Sequence, residues 1–217
     1  MIIEIVGPPG IGKSYYGNKA AEANNYIYSD EELRSQLSKI KLFYLFIKSS
    51  YTLLRNFHLF GGNQGAQSNY LLWKKNMNYL KSILNKLILY QLMINNEDVY
   101  IPDEGLLSID LSIQTFFDEK VVKNYRIFNN KMYRVVLLKL DTEENIKRLK
   151  ERPWPPTWEM FEIGPDLEGL VETYRINLSS LITHLESNGT SVAEVVLSGD
   201  SKDEELVSKV IVQSMES

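Results

Sequence analysis

The chain has 217 residues, of which 44% are hydrophobic and 24% charged, proportions of an ordinary globular protein large enough for one α/β domain. It contains no cysteine, which excludes disulfides, a thiolate nucleophile and zinc–thiolate sites. The net charge of −4 conceals a strong asymmetry: no Asp or Glu occurs from Leu33 to Asn96, where nine Lys and Arg lie, so the other 15 of the 24 basic residues face all 28 acids elsewhere.

Residues 1–17 read MIIEIVGPPGIGKSYYG. Ile2 to Val6 is a short apolar run that predicts a buried strand, and a helix is expected from Lys13. Between them stands G-x-x-x-x-G-K-[ST], in the strand–loop–helix setting the pattern requires. Glycines 7, 10 and 12 are expected at φ > 0, curling backbone N–H groups around a phosphate. The following helix adds unpaired N–H groups and the positive end of its dipole. The expected nucleotide contacts are Gly7, Pro8, Pro9, Gly10, Ile11, Gly12, Lys13, Ser14 and Tyr15. Lys13 would reach the β- and γ-phosphates and Ser14 would ligate Mg²⁺, so the expected ligand is ATP with Mg²⁺.

The first helix is expected to end at Asn24-Asn25, and Tyr26-Ile27-Tyr28 predicts a short second strand. In the following Ser29-Asp30-Glu31-Glu32, Ser29 or Asp30 would N-cap a helix. Asp30 and Glu31 also stand where ligands of open α/β sheets bind, beyond the carboxyl end of a strand. Residues 35–97 carry apolar residues at helical spacing around a glycine-rich break at 61–65. They predict a basic helical insertion, a lid or substrate-holding lobe inside one domain spanning 1–217. Its charge suits an anionic partner, with peripheral contact to an anionic membrane through residues 35–60 as a second choice.

Val99-Tyr100-Ile101 predicts a third strand closed by Pro102, with Asp103-Glu104-Gly105 after it. An acid at this place, downstream of a phosphate loop, suits Mg²⁺, which assigns Asp103 as metal ligand. Arg134 to Leu140 predicts a fourth strand. Asp141-Thr142-Glu143-Glu144 opens a helix carrying Arg148, and Arg152 stands at its exit before Pro153. Arg148 and Arg152 share a helix face and would either pair with acids such as Glu144 or clamp phosphate oxygens. A helix from Leu167 to about Glu186, a strand from Val192 to Leu197 and a helix from Lys202 to Met215 complete the pattern. Together these elements predict a three-layer α/β/α fold with a five-stranded parallel sheet and a helical insertion. No secretory signal is read at the start, which gives the expectation of a cytoplasmic protein.

The chain resembles the P-loop small-molecule kinases: nucleoside and nucleotide kinases, thymidylate kinase among them, with gluconate, shikimate and adenylylsulfate kinases as relatives. GPPGIGKS looks like their Walker A loop, VVLLKLDTEENIKRLKERP like their strand and lid-arginine helix, and VAEVVLSGDSKDEELVSKVI like their last strand and helix. YSDEELRSQL resembles their acid-x-x-Arg stretch after strand two. That likeness implies an acid that deprotonates the acceptor, Glu31 by spacing or Asp30 by position, and a substrate grip by Arg34. Where nucleoside kinases often carry Asp-Arg or Glu-Arg, this chain has Asp103-Glu104, and Glu104 is taken as a substrate contact. The resemblance implies transfer of the γ-phosphate of ATP to a small acceptor such as a nucleotide, nucleoside or sugar derivative. The alternative is an ATPase or nucleotide-dependent switch, which the adjacent acids Asp103 and Glu104 favour. No N-K-x-D guanine motif is present.

Overall fold

The computed structural model describes residues 1–28, 30–35, 38, 44–47, 49, 70–93, 97–117, 132–151, 167–200 and 202–216. Among them lie three strands, β1 (Ile2–Val6), β2 (Tyr133–Lys139) and β3 (Ser191–Val196), in the order β1-β2-β3. All pairings are parallel: Ile2 faces Tyr133 and Val6 faces Leu137, while Arg134 faces Ser191 and Lys139 faces Val196. The described helices are α1 (Lys13–Asn24), α2 (Asp30–Ser35), α3 (Tyr70–Met93), α4 (Leu106–Phe117), α5 (Thr142–Glu151), α6 (Leu167–Ser187) and α7 (Lys202–Glu216).

Five strands are expected from the sequence, and two of them are reduced to single bridges. Tyr100 bridges in parallel to Ile2 on one side and to Ile27 on the other. Its amide donates to the Met1 carbonyl at 2.9 Å, and its own carbonyl accepts from Ile3 at 3.0 Å. The segments are short for a physical reason: Asn25 turns the chain at φ 56 just before Ile27, and Pro102 ends the ladder two residues after Tyr100.

Both faces of the sheet are covered, which is why β1 and β2 are almost continuously apolar. Ile3, Ile5, Val136, Leu138 and Val195 pack with α1 and α7 on one face. Ile2, Val6, Val135 and Leu137 pack with α3, α4 and α6 on the other. The latter half of α3 belongs to this core, with Ile83, Leu87, Leu89, Tyr90 and Met93 all buried. The rest of the expected lobe, apart from residues 35, 38, 44–47, 49 and 97 and the backbone of 70–80, lies outside the described residues, and so does most of the 35–60 membrane segment. Among the described residues no helix is long and apolar enough to cross a membrane.

Candidate active site

The phosphate loop leaves β1 at Gly7 and enters α1 at Lys13. Gly10 and Gly12 hold φ of 81° and 99°, and Gly12 is the left-handed residue immediately before the helix. Gly7 differs from the expectation, since it is not among the residues at positive φ. It is required by proximity instead, because a Cβ there would lie 2.8 Å from the Leu138 carbonyl oxygen. The side chain of Ile11 is buried against the α1–α7 face of the sheet, so only its backbone is open to a phosphate. Lys13 Nζ folds across the loop and donates to the carbonyls of Gly7 at 2.9 Å and Pro8 at 3.2 Å. Ser14 is exposed in the first turn. Tyr15 is exposed, and its hydroxyl donates to Glu204 of α7 at 2.8 Å.

Asp103 follows Pro102 directly after the Tyr100 bridge. The Tyr28 hydroxyl lies 2.8 Å from Asp103 Oδ1 and 2.9 Å from the Ser14 carbonyl oxygen, and its single hydrogen serves one of them at a time. Tyr28 thereby ties the acid to the first turn of α1. Burial, then the hydrogen bond and negative charge of Asp103, push the Tyr28 hydroxyl pKa up, so it remains a donor.

Asp30 opens α2, and its Oδ1 accepts from Lys86 Nζ of α3 at 2.7 Å and from the Tyr100 hydroxyl. Glu104 lies within electrostatic reach of Lys86, Asp103, Lys13 and Asp30. It keeps an exposed edge, yet the protein around its carboxyl removes enough water that burial leads a raised pKa. Asp103 and Asp30 add to the rise, while Lys86 and Lys13 oppose it. Lys13, Asp30, Asp103 and Glu104 thus converge on one region, joined by Lys86, Tyr28 and Tyr100, which the motif reading does not include. Tyr28 and Tyr100 had a signal, since each ends or centres an apolar triplet beside the loop. Lys86 had none beyond its place among basic residues.

Arg148 lies elsewhere on the loop's rim. Its Nε donates to Glu144 at 3.1 Å, the helical pairing expected of it, and its Nη2 would be 3.3 Å from a Cβ on Gly199. Tyr16 and Asp203 complete this group: burial and the Asp203 charge raise the Tyr16 pKa, and Arg148 opposes them. Asp203 in turn accepts from the amides of Ser198 at 2.9 Å and Gly199 at 2.8 Å, which shapes the loop between β3 and α7. For Glu31 and Arg34 only the backbone in α2 is described, and Arg152 lies outside the described residues.

No protein-family model matches the chain, and no curated protein matches it in sequence. Solved structures do match its fold. Deoxyadenosine kinase from M. mycoides with bound dATP aligns at a TM-score of 0.55 and 16% identity, covering 100% of both chains. Shikimate kinase from Bacteroides thetaiotaomicron aligns at 0.51 and 14% identity, covering 100% of this chain and 99% of that one. The chain has the P-loop small-molecule kinase fold. On a P-loop kinase fold the two bridges order the parallel segments as Ile27, Tyr100, β1, β2, β3, with the phosphate loop springing from the middle. The acids after Ile27 and Tyr100 therefore flank the loop from one side, and the Arg148 group flanks it from the other.

Proposed function

We propose that this protein is an ATP-dependent phosphotransferase that moves the γ-phosphate of ATP to a hydroxyl of a small acceptor, a nucleotide, nucleoside or sugar derivative. The observation that carries the reading is the convergence of Asp30 and Asp103 on the Lys13 end of the phosphate loop, each anchored by a tyrosine hydroxyl. A loop that only cradled phosphate would need neither acid. On this reading the segments at Ile27 and Tyr100 act as the second and third strands of a five-stranded sheet.

The residues present fit Mg²⁺. Ser14 and Asp103 offer hard oxygen donors beside the loop. Among the described residues there is no cluster of three or more His, Cys, Asp or Glu suited to a metal. Two protein oxygens suit a cation that keeps several waters and takes the rest of its shell from phosphates. When bound, Mg²⁺ would neutralise charge on the β- and γ-phosphate oxygens. Lys13 would turn from the loop carbonyls to those oxygens. Asp30 would orient the acceptor hydroxyl and take its proton, with Lys86 and Tyr100 holding the carboxylate in place. Glu31 is the other residue that would serve as base. Arg34 and Glu104 would hold the acceptor, and Arg148 with Arg152 would cover the transferring group. A chain with no cysteine needs no oxidising compartment to fold, and on this reading the reaction takes place in the cytoplasm.

One observation favours a second reading, an ATPase. Glu104 stands next to Asp103 with a raised pKa, as suits a base that activates water. ATP consumption measured with and without a panel of nucleosides, nucleotides and sugars separates the two. Consumption that depends on an acceptor, with a phosphorylated product, supports the kinase. Full consumption without any acceptor and no phosphorylated product overturns it in favour of the ATPase.

A further inference from the structure

Glu4 takes no part in the chemistry above, yet it is the most elaborately held acid among the described residues. It sits in the middle of β1 and is fully buried. Its Oε1 accepts from the amides of Leu107 at 2.7 Å and Ser108 at 3.1 Å, in the first turn of α4. Its Oε2 accepts from the hydroxyls of Tyr133 on β2 at 2.7 Å and Tyr90 on α3 at 2.8 Å. With both oxygens engaged on different elements, the carboxyl has no freedom to turn. Gly105 closes over it so tightly that a Cβ there would fall inside the Glu4 carboxyl. An apolar side chain would fill the same volume without the cost of desolvating an acid.

What the acid does that an apolar residue would not is fix one piece of backbone. The chain from Gly105 to Ser108 is seated on Glu4, and the two residues before Gly105 are Glu104 and Asp103. The strand that carries Glu4 leads directly into the first glycine of the phosphate loop, Gly7, three residues after Glu4. We propose that Glu4 is a positioning residue for Asp103. It ties the acid-bearing loop to the phosphate-loop strand from behind, as Tyr28 ties it to Ser14 in front, and so sets the affinity for the divalent cation. The proposal rests on the reading of Ser14 and Asp103 as the Mg²⁺ partners. Tyr90 adds a reach into α3, because it lies one helical turn beyond Lys86, the residue that holds Asp30. The two acids flanking the loop are thus referenced to the same helix.

The test is calorimetric binding of a non-hydrolysable ATP analogue to the full chain, with and without Mg²⁺, alongside thermal melting. The variants are Gly105→Ala, which pushes the loop off Glu4, and Tyr133→Phe, which removes one Oε2 donor but keeps the ring. Asp103→Asn is the reference. The expected result is that Gly105→Ala cuts the Mg²⁺-dependent gain in analogue affinity by roughly tenfold, as loss of outer-shell support does at metal sites. Tyr133→Phe cuts it less, and Mg²⁺-free affinity stays within about twofold in both, since the phosphate loop itself is untouched. Should Gly105→Ala not fold, Tyr133→Phe carries the test. A lowered melting temperature with the full Mg²⁺ gain retained would make Glu4 a purely structural acid and overturn the proposal. So would an equal fall in Mg²⁺-free affinity. If wild-type protein shows no Mg²⁺ gain at all, the assignment of Asp103 fails and this proposal with it. If the gain is present and Asp103→Asn removes it, but no acceptor is ever phosphorylated, the kinase reading fails and the positioning role of Glu4 stands.

Discussion

Lys86 Nζ lies 2.7 Å from Asp30 Oδ1, and the lysine side chain is 9% exposed where the aspartate is 31% exposed. A residue from the acid-free stretch is therefore spent on holding one of the acids beside the phosphate loop. Lys86→Met keeps the chain's length and apolar stem but leaves Asp30 with Tyr100 and water. The expected loss is about 1.5–3 kcal/mol, the range for hydrogen bonds to charged groups. In a chain of this size that lowers the melting temperature by several degrees. Unchanged urea and thermal unfolding would show that the pair contributes nothing to stability.

The same pair sharpens the choice of base. Asp30→Asn keeps the shape and the contact with Tyr100 but cannot accept a proton. Turnover with a working acceptor is expected to fall by roughly 10²–10⁴, the range for a positioned general base. Glu31→Gln is its control. If turnover collapses in Glu31→Gln and survives in Asp30→Asn, the base is Glu31 and Asp30 serves only to hold Lys86 and Tyr100.

These partnerships mark how far the sequence could be read. The first strand and first helix are legible to the residue because local chemistry dictates them, an apolar run and a helix start. The loop glycines are legible at Gly10 and Gly12, whereas Gly7 is required by the nearby Leu138 carbonyl and not by its φ. The helix beginning at Thr142 is likewise legible from local chemistry, its capping acids, and Asp141 Oδ1 does accept from the Glu143 amide at 2.9 Å. The helices beginning at Leu167 and Lys202 also start where the sequence places them. What was not legible depends on distant residues. Glu4 reads as a stray charge in an apolar strand until Tyr90, Tyr133 and the start of α4 are folded around it. Gly105 reads as an ordinary turn glycine until Glu4 lies against it. Along the inner half of α3 the spacing reports a helix but not what covers it, and Ile83, Leu87, Leu89, Tyr90 and Met93 share one core with Ile2, Val135 and Leu137.

Lys13→Ala tests the phosphate loop itself. The Nζ donates to Gly7 and Pro8 within the loop, so removing it costs at most about 1.5–3 kcal/mol of stability, and the fold survives for a binding measurement. ATP affinity by calorimetry is expected to fall by about 100-fold or more, since a charge-assisted contact to phosphate is lost from a preorganised site. Retained affinity would remove the phosphate loop from the scheme.

Glu4→Gln makes a prediction about pH. Burial is the leading influence on the Glu4 carboxyl and raises its pKa above the ordinary 4.5; the Tyr133 and Tyr90 hydroxyls and the Ser108 and Leu107 amides act against the rise without cancelling it. With a raised folded-state pKa, the stability tied to the bound proton is fully present below the ordinary value. It is lost as pH rises through the folded one, at up to about 1.4 kcal/mol per pH unit. Glutamine does not titrate and keeps an oxygen for the two α4 amides. Urea unfolding of both proteins from pH 4 to 8 should therefore show the wild type losing stability relative to Glu4→Gln as pH increases from near 4.5. A gap that stays flat, or that turns in favour of the wild type at higher pH, would mean the four donors outweigh burial and the carboxylate is ionised in the fold.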